Sequence, residues 1–153
     1  MSNEMIKTMV IRELKTLEEM IPHLDILREL YPKLDLESYQ SMLQNMIPHN
    51  YAQIGVFAED KCIAISGYWL GTKLWCGPYL ELDNVIVSES ARGTGAGKLI
   101  QNYLEEKSRA LNCHIMALDA YTNNFKAHRF YYNQGYSPKG FHFIKILDEE
   151  GLT

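Results

Sequence analysis

The spacing of apolar and polar positions changes period several times along the chain. From Lys7 to Leu14, Met9 and Ile11 alternate with charged neighbours late in the run, which predicts a first strand. Thr16 followed by Glu19 fits a reciprocal N-terminal cap. Leu17, Met20, Ile21, Leu24, Leu27 and Leu30 then recur at helical spacing, so a helix is expected from about Leu17 to Leu30, ended by Tyr31-Pro32. A second helix follows Asp35, with Tyr39, Leu43, Met46 and Ile47 on one face. Tyr51–Ala58 and Cys62–Leu70 read as a hairpin around Glu59-Asp60-Lys61. A loop from Gly71 to Pro78 leads to a third strand of this group, Tyr79–Val87. A helix from about Gly95 to Leu111 places Ala96, Leu99, Ile100, Tyr103, Leu104, Ala110 and Leu111 on one side. Ile115–Leu118 is a short buried strand, Asn124–Gln134 a helix stopped by Gly135, and Phe141–Leu147 a last strand. The expected order is β-α-α-β-β-β-α-β-α-β. Strand-helix-strand from Tyr79 to Leu118 implies a parallel pair, and the hairpins imply antiparallel neighbours. That combination is a mixed-sheet α/β or α+β domain.

Composition narrows the class. A chain of 153 residues is most simply one domain, here 1–153 with its core at about 7–147, and no linker, repeat or low-complexity tract divides it. The 15 Lys plus Arg against 19 Asp plus Glu leave a net charge of −4, which argues against a broad nucleic-acid footprint. A local basic pocket is still compatible with that sign. Cys62, Cys76 and Cys113 are odd in number and lack metal-ligand spacing, so reduced thiols in a cytoplasmic protein are expected. Met1–Thr8 has no apolar core of a signal peptide, and no apolar run approaches membrane-spanning length, so no membrane association is expected.

The most informative stretch is Arg92-Gly93-Thr94-Gly95-Ala96-Gly97-Lys98, between a strand and an amphipathic helix. Glycines let the backbone curl so that several N–H groups face one point, and the helix N-terminus adds further donors and positive potential. Arg92 and Lys98 add charge. A pyrophosphate is the natural guest. The phosphate loop G-x-x-x-x-G-K-[ST] fails twice, because Arg92 and Leu99 stand where glycine and a hydroxyl residue belong. The dinucleotide pattern G-x-G-x-x-G fails at Lys98. Arg92, Gly95 and Gly97 do fill [QR]-x-x-G-x-[GA].

That last pattern resembles motif A of the GCN5-related N-acetyltransferases (GNAT), where it cradles the pyrophosphate of acetyl-CoA. A second segment, Asn124 to Tyr136, resembles their motif B, N-x-x-A-x-x-F-Y-x-x-x-G-[FY], through Asn124, Ala127, Phe130, Tyr131, Gly135 and Tyr136. The resemblance is strong from Tyr79 to Tyr136 and topological before that. One departure is Ser88-Glu89, where the family often has proline. The tail from Ala127-His128-Arg129 to His142-Phe143 looks like a bacterial subgroup of the family, without fixing a substrate.

The resemblance implies the acyl-CoA N-acyltransferase fold, with the central parallel strands splayed at the cofactor. It implies direct transfer of acetyl from acetyl-CoA to an amine on a small molecule, peptide or protein, in a ternary complex and without a metal. Val85-Ile86-Val87 would hold the pantetheine arm through backbone groups of Val85 and Val87. One strand N–H there would polarise the thioester carbonyl. The turn Arg92-Gly93-Thr94-Gly95-Ala96-Gly97-Lys98 would hold the pyrophosphate, and Asn124, Ala127, Phe130 and Tyr131 would complete the cofactor contacts. Tyr131 is the expected general acid, because its phenol can protonate a leaving thiolate of comparable basicity.

Glu81 and Asp83 lie at i and i+2 and leave the same strand face, so either can take a proton from an ammonium or attract a cationic acceptor; a plain solvated pair is the alternative. His114, His128 and His142 lack ligand spacing and read as structural or surface residues. Tyr68, Trp69, Trp75 and Tyr79 read as a hairpin packing surface rather than an acceptor pocket. The N-terminal helices and the Gly71–Pro78 loop would shape the acceptor side. Dimers are common in the family, so a homodimer is one assembly it allows. The rival class is a non-catalytic acyl-CoA-binding sensor. A third reading, an RNA-modifying acetyltransferase, is disfavoured by the negative charge.

Overall fold

A computed structural model describes residues 8–153. Its strands are β1 (Val10–Leu14), β2 (Tyr51–Ala58), β3 (Lys61–Lys73), β4 (Gly77–Val87) and β5 (Ile115–Leu118). They form one sheet in chain order, antiparallel from β1 to β4 and parallel between β4 and β5. Among the described residues the helices are α1 (Leu17–Met20), α2 (Leu24–Leu30), α3 (Leu36–Met46), α4 (Ala96–Ala110) and α5 (Phe125–Asn133), with short 3-10 turns between some of them. None of them is long and apolar enough to cross a membrane. The expected mixed α/β architecture with a parallel central pair is therefore present.

Four details differ from the sequence reading. The first strand begins at Val10, and Lys7, where it was expected to start, lies outside the described residues. The single helix over Leu17–Leu30 is broken into α1, a 3-10 turn at Ile21–His23 and α2, because Pro22 cannot donate to the helical ladder. The Gly71–Pro78 loop shrinks to Leu74–Cys76, since Gly71, Thr72 and Lys73 pair with Tyr79, Pro78 and Gly77. The last expected strand, Phe141–Leu147, is not a strand: among the described residues no ladder hydrogen bond reaches it, and every residue in it is exposed. Its composition favours a strand, but a strand exists only where a second backbone completes its hydrogen bonds.

Local chemistry sets the ends of the elements. Thr16 Oγ1 accepts from Glu19 N at 3.3 Å, and Glu19 Oε2 accepts from Lys15 N at 2.6 Å, a reciprocal cap on α1. Asp35 Oδ1 accepts from Ser38 N at 2.7 Å to start α3. Glu59 and Asp60 both have positive φ, 49° and 62°, so the β2–β3 turn follows the twist of its strands.

Two cores lie on opposite faces of the sheet. Ile54, Val56, Ala64, Tyr68, Leu80 and Leu82 meet Ala96, Ile100 and Leu104 of α4. On the other face Tyr51, Phe57 and Ile65 meet Leu24 and Leu27 of α2 and Tyr39 and Leu43 of α3. Each fully buried aliphatic side chain contributes roughly 1.5–3 kcal/mol.

The first core is tied to the sheet edge by one polar cluster. Glu13 on β1 accepts from Tyr103 at 2.9 Å and Lys107 at 2.8 Å on α4, and from Tyr68 at 2.9 Å on β3. Burial works to raise the Glu13 carboxyl, but the bonds from Lys107, Tyr103 and Tyr68 outweigh it and hold the carboxyl below its usual range. A depressed native value stabilises the fold above the unfolded value of about 4.3 and loses that contribution as pH falls through the native one. Glu13→Gln should therefore destabilise the protein by about 1–3 kcal/mol at neutral pH in urea unfolding. The gap from the parent should narrow as pH falls from about 4.3 through the depressed native value, and close below it, where both side chains are neutral.

Candidate active site

The sheet opens where β4 outruns β5. Their parallel ladder runs from Tyr79–Ile115 to Leu82–Leu118 and stops, while β4 continues to Val87. From Asp83 to Val87 the β5-side edge of β4 has no strand partner among the described residues. The cause is a bulge in β4. Asp83 opposes Gly67 and Ile86 opposes Ile65, so Asn84 and Val85 together face Ser66. Asn84 has φ +56°, the left-handed region that asparagine tolerates better than most residues. Its side chain is clamped: Tyr51 donates its hydroxyl to Asn84 Oδ1 at 2.8 Å, and Asn84 Nδ2 donates to Tyr31 at 3.0 Å.

The bulge sorts side chains by face. Leu80 and Leu82 before it, and Val85 and Val87 after it, all pack with the α4 core, although strict alternation would send the later pair to the other side. Ile86 packs with the α2–α3 core. The expected pantetheine segment thus lies on an unpaired strand edge, with valines toward α4.

The glycine-rich turn follows directly. Gly93 and Gly95 have φ +78° and +89°, the left-handed conformation that glycine adopts without strain. Thr94 folds back, its hydroxyl donating to the Ala91 carbonyl at 2.6 Å. Among the described residues the N–H groups of Gly93, Gly95, Ala96, Gly97 and Lys98 have no acceptor. They surround the positive end of α4, a helix of 15 residues. Arg92 and Lys98 are exposed and make no ion pair among the described residues. Such a turn suits an anion of several oxygens.

The second motif meets the first. A β-carbon added to Gly97 would lie 3.6 Å from Phe130 Cζ and 3.8 Å from a Val87 methyl, so β4, α4 and α5 converge at this glycine. Tyr131 stacks edge-on against Phe130 at 5.4 Å and Tyr136 at 5.6 Å between centroids. Tyr136 is itself held by a hydrogen bond to Gln101 at 2.8 Å. The Tyr131 hydroxyl has no partner among the described residues, and burial pushes its phenol up, so it stays protonated. Asn124 caps α5 by accepting from Ala127 N at 3.2 Å, which occupies its Oδ1 with a structural role.

The structure separates the two candidate carboxylates. Both Asp83 oxygens are occupied: Oδ2 accepts from Trp69 Nε1 at 2.9 Å and Oδ1 from Asn84 N at 2.9 Å. Glu81 makes no hydrogen bond or ion pair among the described residues. Burial raises its carboxyl first, Asp119 and Asp83 add to the rise, and Lys73 and His142 oppose it. Trp69, Asn84, Tyr31 and Asp119 are neighbours that sequence reasoning did not assign to the site. Trp69 does pack, as a hairpin aromatic, 4.8 Å from Tyr51, but its indole N–H also fixes Asp83. Of the other aromatics, Tyr68 is buried and Trp75 is exposed. His114 and His128 bond the carbonyls of Cys76 and Tyr121 at 2.9 and 2.8 Å, and His142 bonds Asp119 at 2.9 Å.

Asn84→Ala and Asn84→Gly remove the same two side-chain bonds but differ in their tolerance of φ +56°. The alanine variant should be less stable than the glycine variant by about 1 kcal/mol in chemical denaturation. Equal stabilities would mean that the left-handed bulge is not retained.

Comparison with known proteins agrees with this geometry. The model of the acetyltransferase (GNAT) family matches residues 19–136. An uncharacterized N-acetyltransferase, YhdJ of Bacillus subtilis (strain 168), is 23% identical over 136 residues, covering 88% of this chain and 96% of that protein. Glucosamine-6-phosphate N-acetyltransferase from Arabidopsis thaliana superposes with a TM-score of 0.73 at 20% identity, covering 92% of this chain and 99% of that one. Aminoglycoside N-acetyltransferase AAC(6')-Iy, solved in complex with CoA, gives 0.77 at 16% identity, with 92% and 95% covered. With the family model spanning both the glycine turn and the aromatic helix that meets it, the chain belongs to the acetyltransferase (GNAT) family.

Proposed function

We propose that this protein transfers an acetyl group from acetyl-CoA to a primary amine, by direct attack within a ternary complex. The observation that carries the reading is the unpaired edge of β4 from Asp83 to Val87, opening beside a turn of free N–H groups and Phe130. Acetyl-CoA would lay its pyrophosphate on Gly93–Lys98, flanked by Arg92, and its pantetheine along the backbone of Val85, Ile86 and Val87. A strand N–H of that edge would polarise the thioester carbonyl. The amine nitrogen bonds to the carbonyl carbon as the carbon–sulfur bond breaks.

Two protons must move. Glu81, free of hydrogen bonds and with its carboxyl raised, takes the proton that leaves the ammonium, directly or through water. Tyr131, kept protonated by burial, gives its proton to the departing sulfur. Asp83, held by Trp69 and by Asn84 N, supplies fixed negative charge that favours a cationic acceptor. Small-molecule amines are supported as acceptors by the neighbours named for glucosamine-6-phosphate and aminoglycoside acetylation.

Release of thiol from acetyl-CoA across a panel of amines tests the reading. Tight acetyl-CoA binding with no release across the panel would instead support a sensor. For an amine that turns over, Tyr131→Phe should lower kcat about 100-fold with little change in acetyl-CoA affinity. Unchanged kcat would remove the acid assignment.

The base has its own test. Because the Glu81 carboxyl is raised, it becomes unprotonated only above the ordinary value of about 4.3, so kcat/KM should rise with pH through a limb displaced upward from there. Glu81→Gln should abolish that limb while Asp83→Asn keeps it. A limb that survives in Glu81→Gln places the base elsewhere.

A further inference from the structure

The helix that starts at the glycine turn carries an amide where its core calls for an apolar side chain. On α4, Asn102, Glu105 and Glu106 are exposed, whereas Gln101 is only 4% exposed and stands beside the core residues Ile100 and Leu104. Its amide is half satisfied. Oε1 accepts from the Tyr136 hydroxyl at 2.8 Å, and the buried Nε2 has no acceptor among the described residues. Met116 Sδ, 4.0 Å from the same hydroxyl, is a weak second acceptor. A buried donor without a partner is unfavourable, and an aliphatic side chain at this position would avoid it. Packing alone therefore does not account for glutamine here, and the bond to Tyr136 does.

Tyr136 in turn bears on Tyr131. The Tyr131 hydroxyl makes no hydrogen bond among the described residues, so its ring contacts and its backbone place it. Two rings hold it edge-on, Phe130 at 5.4 Å and Tyr136 at 5.6 Å between centroids. Both of these rings are seated on α4. Phe130 lies against Gly97, 3.6 Å from where a β-carbon would stand. Tyr136 is bonded to Gln101, which lies at i+4 from Gly97 and so one turn further along the same face.

That second seat is the less secure of the two. Tyr136 lies beyond the end of α5 and follows Gly135, which has φ +92°, so the helix itself does not fix it. Burial pushes its phenol up, so it stays protonated and keeps donating to Gln101. Its backbone N–H donates to the Tyr131 carbonyl at 3.0 Å. A displacement of Tyr136 is thus passed to Tyr131 through both ring and backbone.

We propose that Gln101 is a positioning residue: by tethering Tyr136 to α4 it sets the Tyr131 phenol at a fixed place relative to the glycine turn at the start of the same helix. With Tyr131 as the proposed acid, on which this role rests, the phenol must stand within hydrogen-bond reach of the departing sulfur. The turn would anchor the cofactor at one end of α4, and the two seats one turn apart carry that reference to Tyr131. Misplacement of a reacting group by roughly 1 Å costs on the order of 100-fold in rate.

Gln101→Leu and Tyr136→Phe break the tether from its two sides. With the fastest amine of the panel, each should lower kcat about 10-fold while KM for acetyl-CoA and the calorimetric affinity for CoA stay unchanged. The two substitutions together should be no slower than either alone. In a Tyr131→Phe background neither should slow the reaction further, because the group they place is gone. Far-UV circular dichroism and cooperative unfolding verify the fold of each variant, and if one misfolds the other is decisive.

Nuclear Overhauser contact between the rings at positions 131 and 136 reads the placement without turnover. It should be present in the parent and weakened in both variants. An undiminished ring contact in both variants, an unchanged kcat in both while Tyr131→Phe is slow, or a full loss that persists in the Tyr131→Phe background would overturn the role of Gln101 alone. A Tyr131→Phe enzyme as fast as the parent would overturn the acid assignment and this role with it.

Discussion

One strand has two obligations that conflict. β4 must stay in register with β3 along its length, and it must leave β5 after Leu82. An unbulged β4 would send Val85 and Val87 to the face of α2 and α3, because side-chain period in a strand is two residues. The extra residue at Asn84 restores them to the α4 side and bends the strand. Its left-handed backbone is unfavourable for most residues, so its neighbours must hold it. Tyr51 and Tyr31 bond the two ends of its amide, and Gln53 in turn donates to Tyr51 at 3.1 Å and Tyr39 at 3.0 Å. One polar chain therefore links the C-cap of α2 with α3, β2 and β4. The N-terminal helices, which carry no recognisable motif, have a mechanical part in the cleft.

Sequence legibility followed the range of the forces involved. The glycine turn was readable because φ +78° and +89° and an exposed helix start are local demands that glycine answers directly. The α4 core was readable because Ala96, Ile100 and Leu104 keep helical period. Pro22 marked a break inside a periodic run, but the apolar spacing continues across it, so the run reads as one helix. The bulge was not legible. Asn84 in an apolar run gives no sign of its φ, and its partners Tyr31 and Tyr51 lie 53 and 33 residues away. The unequal roles of Glu81 and Asp83 were hidden for the same reason. Both leave one face, as their spacing indicates, but only the fold brings Trp69 onto Asp83 across the β3–β4 pair. Phe141–Leu147 fails in the opposite direction: its pattern is right for a strand, and the missing quantity is a partner, which no pattern within the segment encodes.

The negative net charge of the chain is compatible with an anion site because the charges are divided in space rather than averaged. At one mouth of the opening stand the N-terminus of α4, Arg92 and Lys98, all without counter-charge among the described residues. Before the opening, on the paired part of β4, the Glu81 carboxyl is raised first by its own burial and then by the nearby carboxylates Asp119 and Asp83. Lys73, the cation that most opposes this, lies 4.9 Å over the Tyr79 ring and makes no ion pair with Glu81. Ions separated by more than about 8 Å are screened at physiological salt, so two fields of opposite sign persist across a small domain without cancelling. The first region favours an anionic group, and the carboxylates Glu81, Asp83 and Asp119 would favour a cationic one. On the proposed mechanism, an amine neutralised on losing its proton to Glu81 would give up part of its attraction to these carboxylates, so a site that gathers an ammonium would also let its neutral product go.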